Sequence, residues 1–213
     1  IKAHILDCGR YPVTDGTLVT FTLLSGEGSL SPRTTTTASG WAYSTLTSPN
    51  DTGSATLRAT AGNREATIVV EYIPGPPFDI TLTADPMSIV ADGVSSSAIN
   101  AEIRDRYGNA VADRTTVVFS TDLGRFETGP SYTTSTLGGR ASARLTSSTT
   151  PGMARVAAVA GGRRGEIYVD FYYVPPPTPT PTATPTVTPT PTVTPTLRLW
   201  RANLPMIMKR LWY

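Results

Sequence analysis

The residues that could perform chemistry are few and far apart. The 213-residue sequence contains one histidine, His4, and one cysteine, Cys8. Nucleophilic catalysis by serine or cysteine needs a base that the fold holds beside the nucleophile. The many serines lack a strand–turn–helix nucleophile elbow, and no motif places a histidine beside Cys8. We therefore predict that the chain is not an enzyme and has no catalytic residues.

The two residues then need other roles. Strand alternation predicts that His4 is an ordinary exposed strand residue. Cys8 is predicted to be a turn thiol, and the alternative for it is a disulfide between two chains in an oxidising setting.

Three aspartates raise the question of a metal site. Calcium prefers clustered carboxylate and carbonyl oxygens, but Asp92, Asp105 and Asp113 are singly spaced and interleaved with arginines. This spacing favours aspartates that cap turns. We predict no metal and no cofactor.

Two glycine pairs and a group of arginines have residue types that can contact an anion. The pairs Gly26/Gly28 and Gly161/Gly162 open no helix that could cradle phosphate, so they are predicted to be hairpin glycines. Arg163 and Arg164, near Arg155, are predicted to be a solvated strand edge, with polyanion binding as the alternative. Residues 1–77 and 78–174 each carry nearly balanced charge, which predicts no nucleic-acid partner.

One stretch of the sequence, Asp105–Ser120, has the pattern of a turn that leads into a strand. Asp105, Gly108 and Asn109 supply turn chemistry, and Thr115–Ser120 has the composition of a strand. The stretch Asp7–Thr22 repeats this pattern in the same order. The repeat indicates two copies of one structural unit.

Alternation of apolar and polar residues recurs in both copies about every ten residues. Glycine-rich breaks separate the runs, and stripes with helical spacing are missing. This pattern predicts an all-β fold with two tandem immunoglobulin-like antiparallel β-sandwiches. The inward-facing sets are Val19, Phe21, Leu23; Ala42, Ser44, Leu46; Ala55, Leu57, Ala59; Ile68, Val70, Tyr72; and, in the second copy, Ile80, Leu82; Ile99, Ala101, Ile103; Val117, Phe119; Ala141, Ala143, Leu145; Ala154, Val156, Ala158; Ile167, Val169, Phe171.

Composition divides the chain further. We expect a sandwich over residues 1–74, a proline-rich joint at 75–77, a complete sandwich over 78–174, a Pro/Thr-rich stalk over 175–196 and a tail over 197–213. The first copy begins inside a strand, opposite Ile99, so we expect its opening strand to be cut away or to lie upstream. The stalk should be extended polyproline II, and its threonines suit O-glycosylation.

The second copy resembles the group 1 bacterial immunoglobulin-like domain, the repeat of invasin- and intimin-type surface proteins. The resemblance covers residues 78–172 and, without the opening strand, 1–72. It rests on Leu82–Pro86, Ala91–Gly93, Asp105 with Gly108, Asn109 and Val111, Val117–Ser120, Gly139–Thr146 and Ala154–Ala158. It implies a non-enzymatic protein outside the cell or on the bacterial surface. Its expected partner is a protein or glycan of the host, the matrix or a neighbouring cell.

Three functions remain open at this point. The modules form a rigid spacer in an adhesion stalk, they are accessory spacers of a secreted enzyme with an upstream catalytic domain, or they bind glycan themselves.

The C-terminal tail is apolar, basic and aromatic, and no run in the chain is long enough to span a bilayer. Trp and Tyr beside Arg and Lys suit a membrane interface or an anionic wall polymer. The stalk and the segment around Leu204–Met208 also resemble the ends of exported proteins of Chloroflexi-type bacteria, which implies surface retention or sorting. The candidate attachment residues are Trp200, Arg201, Leu204, Pro205, Met206, Ile207, Lys209, Arg210, Trp212 and Tyr213.

A reporter fusion tests this tail. A reporter joined to residues 175–213 should remain with the envelope fraction, because the apolar and cationic tail holds it there. The matched control carries only residues 175–196 and should appear in the medium. Equal release of both fusions would contradict attachment.

Overall fold

The computed structural model describes residues 1–178 and confirms the all-β prediction. Ile1–Pro175 form one compact unit. Its sixteen strands are β1 (Lys2–His4), β2 (Leu18–Ser25), β3 (Ser29–Ser31), β4 (Thr34–Thr36), β5 (Trp41–Tyr43), β6 (Thr45–Thr47), β7 (Gly53–Ala61), β8 (Arg64–Tyr72), β9 (Asp79–Asp85), β10 (Ser88–Val90), β11 (Ser96–Arg104), β12 (Thr116–Thr121), β13 (Ser131–Ser135), β14 (Arg140–Thr146), β15 (Gly152–Ala160) and β16 (Arg163–Tyr172).

Strands β9–β16 form the second sandwich. One sheet has the order β10-β16-β15-β12-β13 and the other has the order β14-β11-β9. All pairs are antiparallel except β10 with β16, which run parallel. The alternation predicted the core correctly, since Ile99, Ile103 and Phe119 are fully buried. It missed Phe126, which is 1% exposed and packs against Phe119 with ring centres 6.1 Å apart.

Strands β1–β8 form the first sandwich, whose sheets contain four, two and two strands. Their orders are β4-β2-β7-β8, β1-β5 and β3-β6. Val19, Phe21, Ala42 and Leu57 are buried together as predicted. The prediction was wrong for Ile68, which is 55% exposed although its counterpart Ile167 packs against the second core.

Strand β9 explains the different exposure of these two isoleucines. It pairs with β11, setting Ile80 opposite Ile103 and Leu82 opposite Ala101, and so extends the smaller sheet over β16. Within residues 1–72 no strand has this place beside β1. An open groove of about 420 Å³ remains there, lined in part by Ala3, Ile5, Val19 and Ala59. The first core is therefore smaller and more open to solvent than the second.

The described part of the chain contains no helix with the length and apolar character that crossing a membrane requires.

Two neighbours on β12 test the assignment of the core. Phe119 is fully buried and Val118 is 37% exposed on the opposite face. Phe119→Ala should destabilise the second sandwich by about 3–5 kcal/mol, because it removes apolar contacts and leaves a cavity. Val118→Ala should cost less than about 1 kcal/mol.

Hydrogen exchange of the β12 and β15 amides in the full chain measures both changes. Similar losses of protection in the two variants would contradict the assigned orientation of β12.

Candidate functional site

The repeated turn of the second copy lies where the two sandwiches meet. It follows β11, and Arg104 and Ala110 bridge across its base. The Asp105 carboxylate closes the turn, because its Oδ1 accepts hydrogen bonds from the backbone N–H groups of Tyr107 and Asn109 at 2.8 and 2.9 Å. Gly108 has a φ of +90°, a conformation that glycine adopts without strain. Local sequence alone can build this turn.

The same carboxylate holds the connector between the sandwiches. Its Oδ2 accepts a hydrogen bond from the Gly75 N–H at 2.9 Å and one from the Asn109 side-chain amide at 3.0 Å. Asp105 is only 3% exposed. Both oxygens of a nearly buried carboxylate are thus occupied, each with two N–H donors, as a buried charge requires.

Asn109 extends the contact to the first sandwich. Its amide nitrogen donates to the backbone carbonyl of Asn50 at 2.8 Å, and its amide oxygen accepts from the Thr52 N–H at 3.3 Å. Asn50 and Thr52 lie in the loop between β6 and β7. One turn of the second sandwich therefore binds both the connector and a loop of the first.

The hydrogen bonds also fix the charge of Asp105. Burial by itself raises the pKa of this carboxyl. The donors from Asn109, Gly75 and Tyr107 outweigh burial because they stabilise the ionised form, and the pKa falls to about 2. The group is an anion at neutral pH and acts only as a hydrogen-bond acceptor.

The equivalent turn of the first copy has the same local geometry without the longer contacts. Asp7 accepts from the N–H groups of Gly9 and Tyr11 at 2.8 and 2.9 Å. Both bonds reach Oδ1, and within residues 1–178 no hydrogen bond to Oδ2 is present. Asp7 is exposed. The two copies therefore share the turn motif, but in the described part of the chain only the aspartate of the second copy also accepts a hydrogen bond from outside its turn.

The three aspartates considered for a metal lie apart and cap separate turns. Asp92 and Asp105 flank opposite ends of β11, a nine-residue strand about 30 Å long. Asp113 accepts from the Gly138 N–H at 2.6 Å. Asp92 accepts hydrogen bonds from the N–H and the hydroxyl of Ser95 and from the Val94 N–H, and these bonds hold its pKa well below the usual range. No cluster of three metal-ligating residues exists within residues 1–178.

His4 and Cys8 are both exposed. The His4 ring stacks on Trp41 across the β1–β5 pair, with ring centres 4.1 Å apart and nearly parallel planes. Lys2 places its Nζ 5.0 Å from the centre of the same Trp41 ring. Sequence alternation placed His4 on the outer face but did not reveal the stack, since Trp41 lies on another strand.

The arginines considered for polyanion binding have separate neighbours. Arg155 lies 3.9 Å from Asp122, and Arg164 donates to Glu166 at 2.6 Å. Arg163 packs over the Phe78 ring. Gly161 and Gly162, with φ values of +54° and +78°, form the predicted hairpin between β15 and β16. The attachment residues from Trp200 to Tyr213 lie outside the described residues, as does the stalk from residue 179 onward.

Comparison with known proteins supports the resemblance seen in the second copy. Residues 77–172 match the family described as Invasin, domain 3. Two solved structures share the fold. InvD of Yersinia pseudotuberculosis has 23% identity and a TM-score of 0.55, with 81% of this chain and 52% of that chain covered. The Escherichia coli adhesin FdeC has 19% identity and a TM-score of 0.53, with 78% and 56% covered. The chain thus spans about half the length of each structure, and no curated protein matches it.

The charge of Asp105 leads to a prediction about acid. Its pKa is about 2 in the folded chain and about 3.9 when unfolded. A lowered pKa stabilises the fold above pH of about 4, and this contribution is lost as the pH falls from about 4 toward 2. Asp105→Asn should therefore lower the melting temperature at pH 7, and the gap to the parent protein should shrink over that acid range.

Melting curves recorded between pH 7 and pH 2 measure the gap directly. The difference between the two proteins cancels the acid sensitivity of Asp92, which both retain. A gap that stayed constant down to pH 2 would contradict the role assigned to the carboxylate.

Proposed function

We propose that the chain is a rigid spacer in a non-enzymatic adhesion protein that acts outside the cell or on the bacterial surface. The match of residues 77–172 to an invasin domain supports the adhesion class. The fold shared with InvD and FdeC supports the sandwich architecture on which a spacer depends. In this proposal residues 1–74 and 78–174 act as two modules, joined at 75–77. Such a spacer presents a binding surface to a protein or glycan of the host, the matrix or a neighbouring cell.

The observation that carries the proposal is the hydrogen-bonded contact around Asp105. A bond to a charged group contributes about 1.5–3 kcal/mol, and the carboxylate accepts such a bond directly from the connector at Gly75. Asn109 adds two bonds to the first sandwich. Pro76 and Pro77 have fixed φ angles, which limits the conformations of the connector further. These contacts oppose bending, and a spacer that resists bending keeps its two ends at a defined separation.

This mechanical role does not depend on what the spacer carries. An adhesion domain and the catalytic domain of a secreted enzyme would both be held away from the surface in the same manner. The test therefore concerns the contact itself.

Asp105→Asn should loosen the contact, and Asp7→Asn is its matched control. An amide has one carbonyl oxygen, so in either orientation two of the four N–H donors around residue 105 would face an NH₂ group. At Asp7 both bonds reach one oxygen, and an asparagine can replace it. We expect a broader distance distribution between the sandwiches in Asp105→Asn and an unchanged one in Asp7→Asn.

Spin labels at Thr34→Cys and Thr133→Cys, with Cys8→Ser, report the distance in the full chain. Both label positions are exposed strand residues, one in each sandwich. A broad distribution in the labelled parent protein would overturn the rigid-spacer proposal. An equally narrow distribution in Asp105→Asn would show that the carboxylate does not hold the contact.

A further inference from the structure

Phe78 brings together two arginines from different parts of the second sandwich. It follows the connector directly, and its backbone N–H donates to the Arg104 carbonyl at 2.8 Å. The Arg163 Cζ lies 4.8 Å from the centre of the Phe78 ring, and the Arg106 Cζ lies 5.7 Å from it. The two guanidinium groups are thus no farther apart than the sum of these distances. Both distances are within the range of about 6 Å over which a ring face attracts a guanidinium.

The neighbouring arginines of the second sandwich form salt bridges with carboxylates, and in the described part of the chain these two do not. Arg104 and Arg140 pair with Glu102, Arg155 with Asp122 and Arg164 with Glu166. Within residues 1–178, neither Arg106 nor Arg163 forms a salt bridge, and both are exposed.

Asp105 adjoins Arg106 in sequence, but it does not neutralise this positive charge through a salt bridge. Its two oxygens are occupied by the N–H groups of Gly75, Tyr107 and Asn109. The positive charge of the pair is therefore available to a ligand.

The pair borders a cleft of about 310 Å³ at the connector. The cleft is lined by the connector Gly75–Pro77 together with Phe78, Arg106, Tyr107 and Arg163. Phe78 is 43% exposed and Tyr107 is 59% exposed, so both aromatic rings are accessible beside the charges. The tip of the β15–β16 hairpin packs against Pro77, since a Cβ at Gly161 would lie 3.0 Å from the proline ring. This packing supports one wall of the cleft.

We propose that this cleft binds an acidic polysaccharide. A guanidinium is suited to sulfate and carboxylate because its planar N–H groups can donate two parallel hydrogen bonds. Exposed aromatic rings add apolar surface with a polar edge, which fits the C–H faces and hydroxyl groups of a sugar chain. The open shape of the cleft lets a linear polymer pass across it. The inference goes beyond the spacer role, because a spacer needs no ligand at its connector.

Binding of heparin and of polygalacturonate to the full chain tests the proposal and separates sulfate from carboxylate recognition. The double variant R106Q/R163Q should weaken binding of at least one of them by about tenfold or more, since two charged contacts are lost. The matched control R33Q/R125Q removes the same charge from exposed arginines elsewhere and should bind as the parent protein does. Binding should weaken with added salt, because these contacts are exposed to solvent.

Binding of three further polymers to the full chain distinguishes between classes of ligand. Neutral dextran should not bind. Polyglutamate or duplex DNA binding as tightly as the acidic polysaccharides would overturn the assignment to a saccharide. Equal binding by the double variant and the parent would overturn the site, and would place any affinity in other basic residues such as those of the tail. An absence of binding by the parent protein would overturn the proposal as well.

Loss of binding must also be separated from loss of the contact between the sandwiches. The spin-label distance distribution in R106Q/R163Q should match the parent, because Asp105 and Asn109 are retained. Weaker binding with an unchanged distribution supports a ligand site. If binding weakened only where the distance distribution also broadened, the arginines would act by holding the connector. That result would overturn the proposed ligand site.

Discussion

The nearly buried carboxylate of Asp105 is the constraint on which the contact between the sandwiches depends. A charge with 3% exposure is costly unless each lone pair is satisfied. Four N–H groups satisfy it: one belongs to the connector at Gly75, one to Tyr107 and two to Asn109. Asn109 in turn donates to and accepts from the first sandwich. The solvation requirement of one side chain thereby orders three parts of the chain.

Comparison of the two copies shows how a local motif acquires a tertiary role. Asp7 and Asp105 cap the same kind of turn through one oxygen. Of these two aspartates, only Asp105 also accepts hydrogen bonds through its second oxygen within residues 1–178, because the connector lies against it. The two cores also differ in how well equivalent residues are buried. Strand β9 covers the second core and keeps Ile167 in contact with it, whereas Ile68 is largely exposed in the first.

The region around the connector combines two kinds of interaction. The Asp105 turn provides directional hydrogen bonds that set geometry, and Phe78 collects positive charge at the surface through Arg106 and Arg163. The two sets are chemically separate, since the Asp105 carboxylate is occupied by backbone and amide donors. Geometry and ligand recognition can therefore be altered independently by substitution.

The sequence by itself determined the fold class, most of the core and the turns. Alternation with a period of two is a local property, so it placed Val117 and Phe119 inward, and the Asp-Gly-Asn composition located the Asp105 turn. It could not locate Phe126, the stack of His4 on Trp41 or the exposure of Ile68, because these depend on which strands lie together. Only the tertiary structure decided three further contacts. These are the hydrogen bond from Gly75 to Asp105, the hydrogen bond from Asn109 to Asn50 and the packing of two arginines on Phe78. Each joins residues far apart in the chain, and local periodicity carries no information about such pairs.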